Sequence, residues 1–237
     1  MGGGALPASA GHHISLHITH KPRVRGVSMV QRPTVFVVDD DPAVLDSVCL
    51  LLESADLSAQ CYSCARDFLT AYRPHMPGCL VLDVRMPQTT GLELQEILTG
   101  RGLNIPIIFI TGHGDVPLSV KAMKSGAVDF LEKPFDGETL VFCVQQALAK
   151  DARARRIEAQ NSFVAMRFSR LTEREQEVMS LVVAGRSNKE IARKLRCSHR
   201  TVEVHRSRLM AKMEAHTLPE LVSMAAVCGF DTPQAES

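Results

Sequence analysis

Short apolar runs alternate with segments of helical period from Thr34 onward, and two of those runs are continuous: V-F-V-V at 35–38 and I-I-F-I at 107–110. A strand with one wet face alternates polar and apolar residues, so an unbroken run demands burial on both faces, as in a parallel sheet covered by helices. The predicted strands are Thr34–Val38, Ser58–Tyr62, Cys79–Leu82, Ile107–Ile110 and Asp129–Glu132. Between the first two, Val44, Leu45, Val48, Leu51 and Leu52 form one apolar helical face. Ala65–Tyr72, Gly91–Thr99, Val116–Ser125 and Glu138–Lys150 read as further helices. Strand and helix alternating five times predict an α/β unit, a five-stranded parallel (βα)5 doubly wound sheet over residues 33–149.

The remainder carries only helix signals. Residues 150–170, rich in Ala and Arg, read as a helical linker continuous with the preceding helix. From Leu171 the chain reads as an all-α four-helix domain reaching residue 237. Thr172 and Glu175 make a capping box, Gly185 stops that helix, Asn188–Leu195 makes a second, Ser198 caps a third and Leu218–Val227 a fourth. The break at Arg196–Ser198 has the length of a helix-turn-helix turn. Residues 1–32, with four basic residues and no acid, read as a disordered extension, and Met29 is an alternative start.

The formal charge of +1 hides a segregation. Residues 33–149 carry seven basic and fifteen acidic residues, net −8, whereas Arg186 to Lys212 is net +7. Two units with different partners follow, the second suited to a polyanion. With no Trp and 5% aromatics, base-stacking RNA or single-strand binding is disfavoured. No apolar stretch is long enough to cross a membrane, so no membrane partner is expected. Seven cysteines without a disulfide-type framework point to a reducing cytoplasm.

In parallel sheets, functional groups gather beyond the carboxyl ends of the strands. Here those ends release Asp39, Asp40 and Asp41, then Asp83, Thr111 and Lys133. Converging carboxylates repel unless a divalent cation or a cationic side chain joins them, and oxygen ligands with water access suit Mg2+. Lys133 then supplies a point charge for a phosphoryl oxygen, Thr111 a hydroxyl, and an aspartate beside Mg2+ can become an aspartyl phosphate. Asp41 before Pro42 reads as a helix cap.

The stretches V-V-D-D-D-P (37–42), L-D-V-R-M-P (82–87), I-T-G-H-G-D (110–115) and K-P-F (133–135) resemble the receiver domain of two-component response regulators. The resemblance implies Asp83 as phosphoacceptor, with Mg2+ held by Asp40, Asp83 and the Arg85 carbonyl, and by Asp39 through water. It also implies Thr111 and Phe130 as a switch pair and a cis peptide before Pro134. Phe130 lacks the hydroxyl that Tyr supplies in many receivers, so this switch would be steric.

In the third C-terminal helix, Val202, Leu209 and Met213 fall on the core side at helical period, leaving Arg200, Glu203, Val204, Ser207 and Ala211 opposite. That mixed, small-residue face suits the major groove, with Lys189, Thr201, His205, Arg206 and Arg208 flanking it within reach of phosphates. Arg206 lies close to the core side, so its stem must snorkel outward. L-T-x-R-E-x-E-V (171–178), N-K-E-I-A (188–192) and R-T-V-E-V-H-R (200–206) resemble the LuxR/NarL-type DNA-binding domain, and with the receiver the chain is similar to FixJ-family response regulators. In that family the third helix reads bases and the fourth helps to dimerise. His199 stands where relatives often carry Pro.

The resemblance implies a transcription regulator, not an enzyme beyond transfer to and hydrolysis from its own Asp83. Its partners would be a sensor histidine kinase, promoter double-stranded DNA and a second copy of itself on phosphorylation, with RNA polymerase as a further partner. Two rivals remain: a phosphatase using an aspartyl nucleophile, for which no substrate cap is visible, and a constitutive DNA binder. Cys61 and Cys64 have metal-pair spacing but no completing ligands, and read as core or incidental cysteines.

Overall fold

The structure is a computed structural model that describes residues 32–112 and 126–230. Five strands form one parallel sheet: β1 (Thr34–Val38), β2 (Ser58–Tyr62), β3 (Gly78–Asp83), β4 (Ile107–Thr111) and β5 (Asp129–Glu132), ordered β2-β1-β3-β4-β5. The two-residue period sends Phe36, Val38, Leu80, Leu82, Ile107 and Phe109 to one face, where α2 (Ala65–Ala71) and α3 (Gly91–Gly100) cover them. Val35, Val37, Val81, Ile108 and Ile110 take the other, beneath α1 (Pro42–Ser54) and the first turns of α4 (Gly137–Phe168). The continuous apolar runs are thus dry on both sides, and the expected α/β class is the one observed. The helix expected over Val116–Ser125 lies outside the described residues, as does the N-terminal extension.

Local chemistry fixes the helix starts. Asp41 caps α1 by accepting from the Ala43 amide at 2.9 Å, with Pro42 in the first turn. Thr90 and Glu93 close a capping box on α3. Gly91 sits so tightly on the exit of β3 that a Cβ there would lie 2.2 Å from the Asp83 carbonyl oxygen. That close approach is what lets α3 start beside the loop leaving Asp83.

α4 runs past Lys150, as the reading of a helical linker continuous with it expects. It continues through the Ala/Arg-rich stretch to Phe168, a single helix of 32 residues. Asp151, almost fully buried on it, accepts from the Gly78 amide at the start of β3 and from Arg155, which also donates to the Met76 carbonyl. Its last turns place Val164 and Phe168 against a second core. That core belongs to α5 (Glu173–Val183), α6 (Asn188–Lys194), α7 (His199–Met213) and α8 (Leu218–Val227), built on Val178, Met179, Ile191, Val202, Leu209 and Leu221. The capping box of Thr172 and Glu175 forms as expected. Gly185 ends α5 with φ +73°, and Arg196 makes the turn between α6 and α7 with φ +51°.

Cys61 is neither core nor incidental. It is exposed on the edge strand β2 and disulfide-bonded to Cys49 of α1, a pairing that the C-x-x-C spacing did not suggest.

Gly91→Ala should force α3 away from β3 and lower stability by about 1–3 kcal/mol, as overpacking of a tight contact does. Urea unfolding of the full chain measures it; an unchanged midpoint would show that the contact has slack.

Candidate functional site

In the order β2-β1-β3-β4-β5 the direction in which successive strands are added reverses between β1 and β3, so a crevice opens beyond their carboxyl ends. Asp39 follows β1 and Asp83 ends β3; both are nearly sealed, at 1% and 5% exposure. Two carboxylates cannot share a dry crevice without a cation, and Lys133 supplies it. Its ammonium donates to Asp39 Oδ2 at 2.6 Å and to Asp83 Oδ1 at 2.7 Å. The remaining oxygens accept backbone N–H groups: Asp39 Oδ1 from Asp41 at 2.9 Å and Asp83 Oδ2 from Arg85 at 2.6 Å. Lys133 is placed by its own amide, which donates to the Thr111 carbonyl; the peptide bond that follows it, before Pro134, is cis.

Burial raises the pKa of Asp83, and the negative charge of Asp39 adds to this, against the opposing hydrogen bond and charge of Lys133 and the Arg85 amide. Burial works against the Lys133 ammonium, but its hydrogen bonds to Asp39 and Asp83 outweigh that and raise its pKa. The lysine is therefore charged, and the three groups act as a unit. Lys133, expected to meet an incoming phosphoryl oxygen, is here also the internal counter-ion.

Asp40 is exposed at the mouth of the crevice, Thr111 is buried at the end of β4, and Phe130 on β5 is half-buried with its ring 6.5 Å from that of Phe109. Among the described residues no three His, Cys, Asp or Glu side chains are gathered into a metal site of their own.

On α7, Val202, Leu209 and Met213 are buried while Arg200, Glu203, Val204, Ser207 and Arg208 are exposed, with Thr201 and His205 half-buried at the sides. Val204 keeps 42% of its surface open, unusual for a valine inside a helix with a core to pack against. Lys189 is exposed near the start of α6. Ser198 caps α7 by accepting from the Thr201 amide at 3.0 Å, so His199 in the first helical position does no harm to the helix start.

Three features were missed from the sequence. Arg206 does not simply snorkel; it donates to the Asn188 side chain at 2.9 Å and ties α7 to the start of α6. His205 Nδ1 is buried without a hydrogen-bond partner among the described residues, which leaves Nε2 to do any work on the exposed side. Buried Glu175 accepts from Lys212 at 2.6 Å besides closing its capping box. Burial would raise the Glu175 pKa, yet the Lys212 and Thr172 hydrogen bonds lower it overall. The stability that this carboxylate contributes is therefore present above the ordinary Glu range and lost as pH falls through its depressed value.

A lysine-bridged carboxylate pair at the switch point of a parallel sheet, followed by a basic helix-turn-helix unit, defines a receiver-controlled DNA-binding regulator. The response regulator receiver domain model matches residues 35–145, and the model for bacterial regulatory proteins of the luxR family matches residues 169–225. The transcriptional regulatory protein FixJ of Azorhizobium caulinodans is 48% identical over 195 residues, covering 82% of this chain and 92% of the relative. That of Bradyrhizobium diazoefficiens is 43% identical, covering 85% and 98%. The solved response regulator StyR superposes with a TM-score of 0.75 at 45% identity, covering 82% of this chain and 98% of that one. Full-length FixJ from B. japonicum gives 0.51 at 42% identity, covering 84% and 98%. The chain belongs to the FixJ family of response regulators, phosphorylation-controlled transcription regulators with a receiver and a LuxR-type DNA-binding domain. No helix among the described residues is long and apolar enough to cross a membrane.

Because burial holds the Asp83 charge at a cost, Asp83→Asn should leave the thermal midpoint unchanged or raise it, with Lys133 still paired to Asp39. Lys133→Ala strands two carboxylates and should lower stability by about 1–3 kcal/mol. Calorimetry on both variants checks this; a destabilised Asp83→Asn beside an unaffected Lys133→Ala would reverse the electrostatic account.

Proposed function

We propose that Asp83 receives a phosphoryl group from the phosphohistidine of a sensor kinase and that the modified chain pairs with a second copy on two-fold promoter DNA. The observation that carries this is the Asp39–Lys133–Asp83 unit. An Asp83 carboxylate oxygen attacks phosphorus, the P–N bond breaks with its electron pair going to the nitrogen, and the ring, protonated on its other nitrogen, leaves as the partner's neutral imidazole. The new phosphoryl oxygens bring negative charge to Lys133, which is already within reach of the acceptor. The Thr111 hydroxyl, at the end of β4, takes a hydrogen bond role toward the same group. Phe130 then follows sterically, since it has no hydroxyl to offer. Water attacking the same phosphorus breaks its bond to the Asp83 oxygen, releasing inorganic phosphate and a proton and returning the free carboxylate.

The donor set fits Mg2+, which takes oxygen ligands and needs only one or two carboxylates beside water and phosphate. Asp40, Asp83 and the Arg85 carbonyl would hold it, with Asp39 through water, and it would supply neutralisation of phosphoryl oxygens.

The functional units are residues 33–149 as receiver, 150–170 as linker and 171–237 as DNA-binding domain. Val204, Glu203 and Ser207 face the bases; Arg200, Thr201, His205, Arg208 and Lys189 contact phosphates. The protein acts in the cytoplasm, and promoter occupancy brings it to RNA polymerase. Receiver pairing would use the region around Val116 to Leu131, of which Val116–Ser125 lies outside the described residues.

Acetyl phosphate should label wild-type protein in Mg2+ buffer, with labelling lost in EDTA and in Asp83→Asn. Acid-labile label persisting in Asp83→Asn would move the acceptor elsewhere. For DNA, Arg200→Ala and Lys189→Ala should weaken binding to all duplexes and flatten the salt dependence, by roughly one unit of slope per phosphate contact. Val204→Ala should instead cost about 1–3 kcal/mol of discrimination at one base pair. Selection from random duplexes reads both, and an identical preferred sequence in Val204→Ala and Glu203→Ala would remove α7 from the bases.

A further inference from the structure

We infer that Cys49 and Cys61 form a reversible redox site on the receiver, a dithiol–disulfide pair that fastens α1 to the edge strand β2. The two side chains meet through periodicity and register. Cys49 lies one residue beyond buried Val48 and three before buried Leu52, on the side of α1 that packs over the sheet. Cys61 is two residues beyond Ala59, which packs under the same helix, and pairs in register with Val37 of β1. Helical and strand periods together therefore aim both cysteines into the wedge where α1 crosses the sheet edge. Their Cα atoms are 6.9 Å apart, at the long end of disulfide reach, and they are bonded in the structure.

Exposure decides what kind of bond this is. Cys61 is exposed on a strand that, among the described residues, pairs only with β1, and Cys49 is half-buried, so small thiols can reach the sulfurs. By contrast, Cys79 and Cys143 are free and buried. An exposed disulfide is the labile kind, formed and broken by exchange. With a low-molecular-weight disulfide as oxidant, the Cys61 thiolate attacks one sulfur and releases one thiol. The Cys49 thiolate then displaces the second thiol from the mixed disulfide. Two cysteine thiols lose two protons and two electrons, and the oxidant is reduced to two thiols. A reducing dithiol reverses the sequence. Cys64, free at the start of α2, is the rival partner at short spacing.

The bridge closes the end of α1, the turn through Asp56 and all but the last residue of β2 into one loop. The next residue, Tyr62, accepts from the Asp39 amide at 3.2 Å, so the oxidised staple ends beside the strand exit that holds the acidic crevice. Oxidation should slow backbone opening of β2 without touching the crevice itself.

The test equilibrates the full chain with oxidised and reduced glutathione and blocks free thiols with an alkylating agent. Cleavage before Asp46, Asp56 and Asp67 puts Cys49 in one peptide and Cys61 with Cys64 in another. The expected product joins these two peptides, about 2 Da lighter than their sum. It should persist in Cys64→Ser, vanish in Cys61→Ser and vanish on adding dithiothreitol. Amide exchange in residues 56–62 should be roughly tenfold slower in the oxidised protein. Alkylation of both Cys49 and Cys61 under oxidised glutathione, glutathione adducts without closure, or a bridge lost in Cys64→Ser would each overturn the assignment. Cys61 is exposed, so its serine variant is expected to fold, and the Cys64→Ser arm reads the pair independently.

Discussion

β1 and β3 pair in parallel with both faces covered, so neither strand has a wet side on which to carry charge. Charge can leave these strands only at their ends. At the carboxyl end this puts Asp39 and Asp83 on adjacent strands across the reversal in sheet order, and a dry crevice cannot hold both without a counter-ion. Lys133 comes from the far side of β4, after β5, and its hydrogen bonds to both carboxylates therefore span most of the sheet. Any group that competes for Lys133 acts on three strand ends at once, which gives a local charge a route to the rest of the domain.

The amino ends of the same strands carry a second connection. Asp151 and Arg155 of α4 hold the backbone at Met76 and Gly78, and the same helix goes on to place Val164 and Phe168 in the helical core. Arg167 near its end donates to Glu214, just past α7. A single helix thus belongs to both hydrophobic cores. Attraction between the acidic receiver and the basic helical unit is screened within about 8 Å at physiological salt, so the helix is the stronger coupling of the two.

The strands and caps were legible in the sequence because their signals are local. V-F-V-V, I-I-F-I, the capping box of Thr172 and Glu175 and the cap at Ser198 each depend on residues within a turn or a strand. The carboxylate crevice was legible because strand ends can be counted, and Asp39, Asp83 and Lys133 do meet there. What stayed hidden depends on three-dimensional register. Nothing in the spacing of Cys49 and Cys61 distinguishes them from Cys61 and Cys64; only the crossing of α1 over β2 does. Asp151 reads as one more surface charge in an Ala/Arg-rich stretch until the start of β3 is placed beneath it. Arg206 and Asn188 meet only when α6 and α7 pack.

We propose that charge added at Asp83 controls pairing and DNA binding. Sedimentation of the full chain, with and without beryllofluoride and a duplex selected by binding, tests it most directly. The account predicts a monomer that becomes a dimer on adding the phosphoryl mimic, with duplex affinity rising at least about tenfold, and neither change in Asp83→Asn. A chain that stays monomeric at tens of micromolar, with unchanged affinity for the duplex, would contradict it.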